Sequence, residues 1–246
     1  MRSKDLKNIT ERSYRRRVHG RLTPVWVTVQ ETDLSVYAHG LSAEEIRDAV
    51  IVQRGYVENY IRCFPAFAKT LEPWQEDSLA PPIVQDMIRA GRKAGVGPMA
   101  AVAGAIAEHV GTDLLLRTDE IVIENGGDIF IKTTQPLTVG VYAGHSPLSM
   151  KVGIAIEPSE ETQAVCTSSG SVGHSLSKGR ADAVCIVGPD CTLADAAATA
   201  IANRVSTVRD VQPAIQWGRA IDGVEGILVI MAGKIGMWGR IRVKPI

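Results

Sequence analysis

Positions 25–30 alternate, with Val25, Val27 and Val29 set against Trp26, Thr28 and Gln30. That two-residue period predicts a strand. Residues 34–39 alternate again, and Glu31-Thr32-Asp33 between the two runs predicts a hairpin turn. The period then changes. Ile46, Val50, Val57, Tyr60, Ile61 and Phe64 recur at three- and four-residue steps behind a Ser42/Glu45 capping pattern. This predicts a long amphipathic helix packed on a sheet. Residues 71–82 carry Pro73, Pro81 and Pro82 and read as a loop. Pro82 suits the first turn of a second helix, which should stop near Gly95.

Gly97 and Pro98 open a third helix made of small residues, Ala100 to Ala107 with Gly104 among them. A glycine inside a helix costs about 1 kcal/mol against alanine. So smooth a helix fits tight packing on a sheet; its first amides, at Gly97 to Met99, also suit an anionic ligand. Glu120 to Glu124 and Ile129 to Ile131 read as strands around Asn125-Gly126-Gly127-Asp128, where two glycines supply the positive φ of a tight turn. Further strands are expected at 138–143, 151–157, 163–168 and 183–187, with a helix over 192–204. Ile227–Met231 and Met237–Val243, split by Gly233-Lys234, read as a closing hairpin. Strands interleaved with four helices, without regular βαβ alternation, predict an α+β fold in one domain.

The totals narrow the function classes. The 246 residues contain 27 basic and 27 acidic side chains, so no global charge favours nucleic acid. No run of about eighteen apolar residues predicts a membrane span. The opening residues are polar and lack the apolar core of a secretory signal, so a cytoplasmic location is expected. Cys63, Cys166, Cys185 and Cys191 show no CxxC spacing and read as buried reduced thiols. Arg12, Arg15, Arg16 and Arg17 form a basic arm, either solvated or an anion clamp. The exposed edges of a mixed sheet leave homodimerisation open.

The candidate chemistry gathers in the run from Cys166 to Arg204. Thr167, Ser168, Ser169 and Gly170 offer hydroxyls and free amides that can wrap a phosphate or another polar ligand. His174 follows as a general base or orienting group. Asp195 and Thr199 stand four apart, on one face of a helix. A carboxylate with a hydroxyl is a hard-oxygen pair that suits Mg²⁺ or Ca²⁺. The turn at Asn125, Gly126, Gly127 and Asp128 adds bare amides and two polar side chains.

The order NGGD, TSSG, His174 and ADAAATA (Ala194 to Ala200) resembles the ApbE superfamily of FAD:protein FMN transferases. The likeness is greater still to its shorter UPF0280 branch, including the GPMAAVAGAIAE helix and the TSSGSVGHS segment. The resemblance implies an α+β fold of two closely packed lobes around a cleft, a flavin, FAD or FMN, in that cleft as a small-molecule ligand, and a divalent ion such as Mg²⁺ on Asp195 and Thr199. It implies metal-assisted transfer or hydrolysis, or flavin binding without turnover. The chain also departs from that pattern. Ser175 to Gly179 lacks the Asp and Pro that follow the transferases' histidine, and Val102-Ala103-Gly104 lacks their lysine.

Overall fold

The computed structural model of the chain describes residues 22–170 and 179–246. Eight antiparallel strands form one sheet, in the order β1-β2-β3-β4-β7-β8-β9-β10. They are β1 (Thr23–Val29), β2 (Thr32–Ala38), β3 (Ile121–Asn125), β4 (Asp128–Lys132), β7 (Gln163–Ser168), β8 (Ala183–Gly188), β9 (Gly226–Met231) and β10 (Lys234–Gly239). A smaller antiparallel sheet holds β5 (Leu137–Gly140), β6 (Val152–Ile156) and β11 (Arg242–Pro245), with β6 in the middle. Among the described residues there are five α-helices: α1 (Ala43–Cys63), α2 (Pro82–Ala94), α3 (Val102–Leu114), α4 (Cys191–Ala202) and α5 (Val211–Gly218).

The large sheet is the middle of three layers. Ile121, Ile123, Phe130, Cys166, Val184 and Ile186 point into the core shared with the helices. Their neighbours Val122, Ile131, Val165, Cys185 and Val187 point the other way, into a second core against the small sheet. Successive strand residues face opposite sides, so a strand covered on both faces reads as an unbroken apolar run. That is why 183–187 shows no alternation in the sequence. The α+β reading holds, with antiparallel pairing throughout.

Three expectations need correction. The first hairpin turns at Gln30 and Glu31, one residue earlier than predicted, with Gln30 at φ 52. The stretch 237–243 is two strands: Gly239, at φ 83, ends β10, and the chain then crosses to pair with β6. Periodicity could not show this, because both pieces alternate alike. Residues 211–218 form a fifth helix, which Pro213 had masked; proline is tolerated in a helix's first turn.

Helix α4 lies buried along its whole length, against β7, β8, α2 and α3. Small side chains make this burial feasible. An alanine face lets backbones approach closely, and Gly104 of α3 has no Cβ because one would lie 2.4 Å from the Cys191 carbonyl oxygen.

Candidate functional site

Four elements meet at the site: the β3–β4 turn, the end of β7, the start of α3 and the first half of α4. Asn125, Asp128, Cys166 and Ser168 share the helix-facing side of the large sheet by strand alternation, and Asp128 lies opposite Cys166 in register. The turn is built as predicted, with Gly126 at φ 68 and Gly127 at φ 113. Glu124 holds it from below, accepting the Gly127 N–H at 2.9 Å. Asn125 uses its side-chain amide to anchor α3, donating to the Ala103 carbonyl at 3.0 Å.

Asp195 is the second anchor on that helix. Its Oδ2 accepts the Gly104 N–H at 2.9 Å. The anion seated on the first turn of α3 is thus a carboxylate of the chain itself. Gly97, where a ligand was one expectation, instead packs on the Thr70 backbone, 2.0 Å from where its Cβ would be. One turn earlier on α4, Thr192 donates both its N–H and its hydroxyl to Glu108 of α3, at 2.9 and 2.6 Å. The two helices are therefore locked in register by Glu108 and Asp195 together. The pattern of the sequence gave no sign of Glu108 or Glu124 as site supports, because each looks like an ordinary surface acid.

The electrostatics are unbalanced. Asn125, Asp128, Ser168, Ser169, Asp195 and Thr199 are each only 7–8% exposed. Burial pushes the Asp195 carboxyl up to about 7, against which the Gly104 and Ala103 amides pull down. Asp128 is pushed well up by burial and then by the charge of Asp195. Among the described residues no ion pair reaches either acid. Asp128 Oδ1 and Ser168 Oγ are buried with no hydrogen-bond partner among the described residues. Such groups are costly to leave unmet.

These residues fit a divalent cation. Among the described residues no three His, Cys, Asp or Glu side chains form a metal cluster. Asp195 and Thr199, one turn apart, would supply a carboxylate and a hydroxyl. Mg²⁺ suits so sparse a donor set, since it keeps water and takes substrate phosphate as its remaining ligands.

The other predicted residues divide. Thr167 turns its hydroxyl to the far face of the sheet, donating to Cys185 Sγ at 3.3 Å. Only its backbone belongs to the site, its carbonyl lying 3.5 Å from where a Gly127 Cβ would be. Gly170 is strapped by its N–H to the Ala181 carbonyl at 3.0 Å. His174 and the basic arm at 12–19 lie outside the described residues. A cleft of about 600 Å³, lined by Glu157, Gln163, Glu225, Arg240 and Arg242 among others, sits at the opposite end of β7 and includes none of the predicted residues.

Cys166 and Cys191 meet beneath the site, with their sulfurs 3.5 Å apart. Burial pushes the Cys191 thiol up to about 11 and Cys185 to about 12, and raises Cys166 well above its usual range. Thiolates are the reactive form. A thiol-reactive dye should therefore label one cysteine, the exposed Cys63, in the native protein, and all four only after denaturation. Fast labelling of Cys166 or Cys191 would mean that the α4–β7 contact opens.

A family model described as AbpE bacteria matches residues 15–237. A UPF0280 protein of Methanosarcina acetivorans is 40% identical over 201 residues, covering 80% of this chain and 79% of that one. A UPF0280 protein of Methanocaldococcus jannaschii is 40% identical over 205 residues, covering 81% and 82%. Among solved structures, the flavin transferase ApbE from Vibrio cholerae matches with a TM-score of 0.58 at 12% identity, over 89% of this chain and 97% of that one. The apo flavinyl transferase ApbE of Pseudomonas stutzeri matches with 0.57 at 10% identity, over 89% and 94%. At such identities the structural likeness concerns the fold. No helix among the described residues is long and apolar enough to cross a membrane.

Proposed function

This chain belongs to the ApbE family, in its UPF0280 branch, and we propose on that basis that it binds a flavin nucleotide together with a divalent cation. The ligand would lie along Asn125 to Asp128 and Ser168 to Gly170. Asp195 and Thr199 would hold the cation. The observation that carries this reading is the pair of buried acids, Asp128 and Asp195, with no positive partner among the described residues. Burial favours the protonated form of both acids; a divalent ion would take the place of those protons and join the two carboxylates to the pyrophosphate.

When bound, the cation would neutralise charge building on the phosphoryl oxygens. The chain's own groups do the rest. The Gly104 amide fixes one oxygen of Asp195 and so aims the other. The Glu124-braced turn keeps the Gly126–Gly127 backbone open to close approach by the ligand. His174 would hold or move a proton at the leaving or attacking oxygen. The structural neighbours are flavin transferases, which supports transfer of a flavin-bearing fragment to a protein hydroxyl as the reaction.

Binding without turnover is favoured by two departures: the segment after His174 lacks the family's Asp and Pro, and the Val102-Ala103-Gly104 stretch lacks its lysine. Two measurements separate the readings. FAD with Mg²⁺ is expected to raise the melting temperature, and chromatography of the mixture to show AMP. A melting shift without AMP leaves the carrier. Asp195→Asn should lose both the Mg²⁺ dependence and any AMP release. An absence of shift with every flavin and adenine nucleotide, with and without Mg²⁺, overturns the proposal.

A further inference from the structure

The outward face of α1 is built unlike a solvated helix face. Ile51, Val52 and Tyr56 are 50%, 49% and 44% exposed, in the middle of a 21-residue helix. Gly55 stands among them. A Cβ added there would meet nothing within 4 Å, so nothing in this subunit requires the missing side chain. Mid-helix glycine is unfavourable in itself, and an approaching backbone is what commonly justifies it.

The same face carries a charge pattern. Asp48, Val52, Gly55, Asn59 and Arg62 follow a four-three-four-three spacing, the stripe along which one helix packs against another at a shallow angle. Asp48 has no ion-pair or hydrogen-bond partner among the described residues, and Arg62 bonds only to the neutral Asn59 side chain, at 2.8 Å. Among the helix's other charges, Arg54 pairs with Glu31 and Glu58, and Glu45 with Arg117. Asp48 and Arg62 lie seven residues either side of Gly55, which is about 10 Å along the axis.

We propose that α1 is a homodimer interface, in which two copies of the chain cross antiparallel at Gly55. A two-fold axis through that glycine places Asp48 opposite the partner's Arg62, and Arg62 opposite the partner's Asp48. One surface thereby complements itself in both charge and shape, as a two-fold contact must. Gly55 sets the closeness of the crossing, and Ile51, Val52 and Tyr56 fill its flanks. A different protein has no reason to mirror the spacing of these two charges about the glycine.

Sedimentation velocity over a range of concentrations tests this. The native chain is expected to show a monomer–dimer equilibrium that weakens as salt is added. Gly55→Gln should weaken the dimer by about tenfold or more, although it improves the helix. Asp48→Arg should do the same by setting like charges face to face. Combining Asp48→Arg with Arg62→Asp restores the opposite charges and should restore the dimer, which a folding defect would not allow. A native chain that stays monomeric at its highest attainable concentration overturns the proposal. So does a dimer indifferent to Gly55→Gln and to the charge reversal.

Discussion

Gly104→Ala should lower the stability of this protein by about 2–3 kcal/mol, even though alanine is the better helix former by about 1 kcal/mol. The new methyl would lie 2.4 Å from the Cys191 carbonyl oxygen and 2.8 Å from the Asp195 Cβ. Neither is the loose end of a flexible side chain. Helices α3 and α4 must separate, and two contacts go with them: the Gly104 N–H bond to Asp195 and the Thr192 bonds to Glu108. For a chain of this size the melting temperature should fall by about 5–10 °C. The flavin- and Mg²⁺-dependent shift should fall as well, because Asp195 is no longer aimed. Thermal unfolding with and without the ligands reads both effects. A variant as stable as the native chain would show that the helices tolerate a wider separation than the structure gives them.

The second large effect concerns pH. Asp195 titrates near 3.8 when unfolded and is pushed up to about 7 by burial in the folded chain. A carboxyl raised in this way favours the folded state while it is protonated. Its contribution is complete below about pH 4 and is lost as the pH rises through about 7. Asp128 and Glu108, also raised by burial, act in the same direction. His109, lowered by burial, acts oppositely: its contribution is present above about pH 6.5 and is lost as the pH falls. The cation-free protein should therefore lose stability, on the order of a few kcal/mol, on going from about pH 5 to pH 7. Mg²⁺ should restore it at pH 8 and do little at pH 5, where the proton occupies the same oxygens. Asp195→Asn isolates the group. The variant should melt higher than the native chain at pH 8 without Mg²⁺, show a flatter pH profile, and not respond to the ion. A native profile that rises between pH 5 and 7 in the absence of cation would contradict the burial of an uncompensated acid.

Much of the site was legible because its chemistry is local. The Asn125-Gly126-Gly127-Asp128 turn is determined by two glycines between apolar runs, and both adopt the positive φ that the turn requires. The i, i+4 relation of Asp195 and Thr199 follows from helix geometry once 191–202 is a helix. Asn125 and Asp128 fall on the same face because a hairpin pairs them. The family resemblance placed the pieces in order, and the family is the one to which the chain belongs.

What the sequence could not carry is non-local. Thr167 and Ser168 are neighbours in a polar run, yet strand alternation sends their hydroxyls to opposite faces, and only pairing with β8 decides which face meets the helices. The anion at the start of α3 comes from a residue 91 positions away. The thiols of Cys166 and Cys191 are 25 positions apart and touch because α4 folds back over β7. Hydrophobic period and turn chemistry depend on a residue and its near neighbours. Sidedness, helix register and the burial of Asp128 and Asp195 depend on which layers close over them, and that is fixed only when the three layers pack.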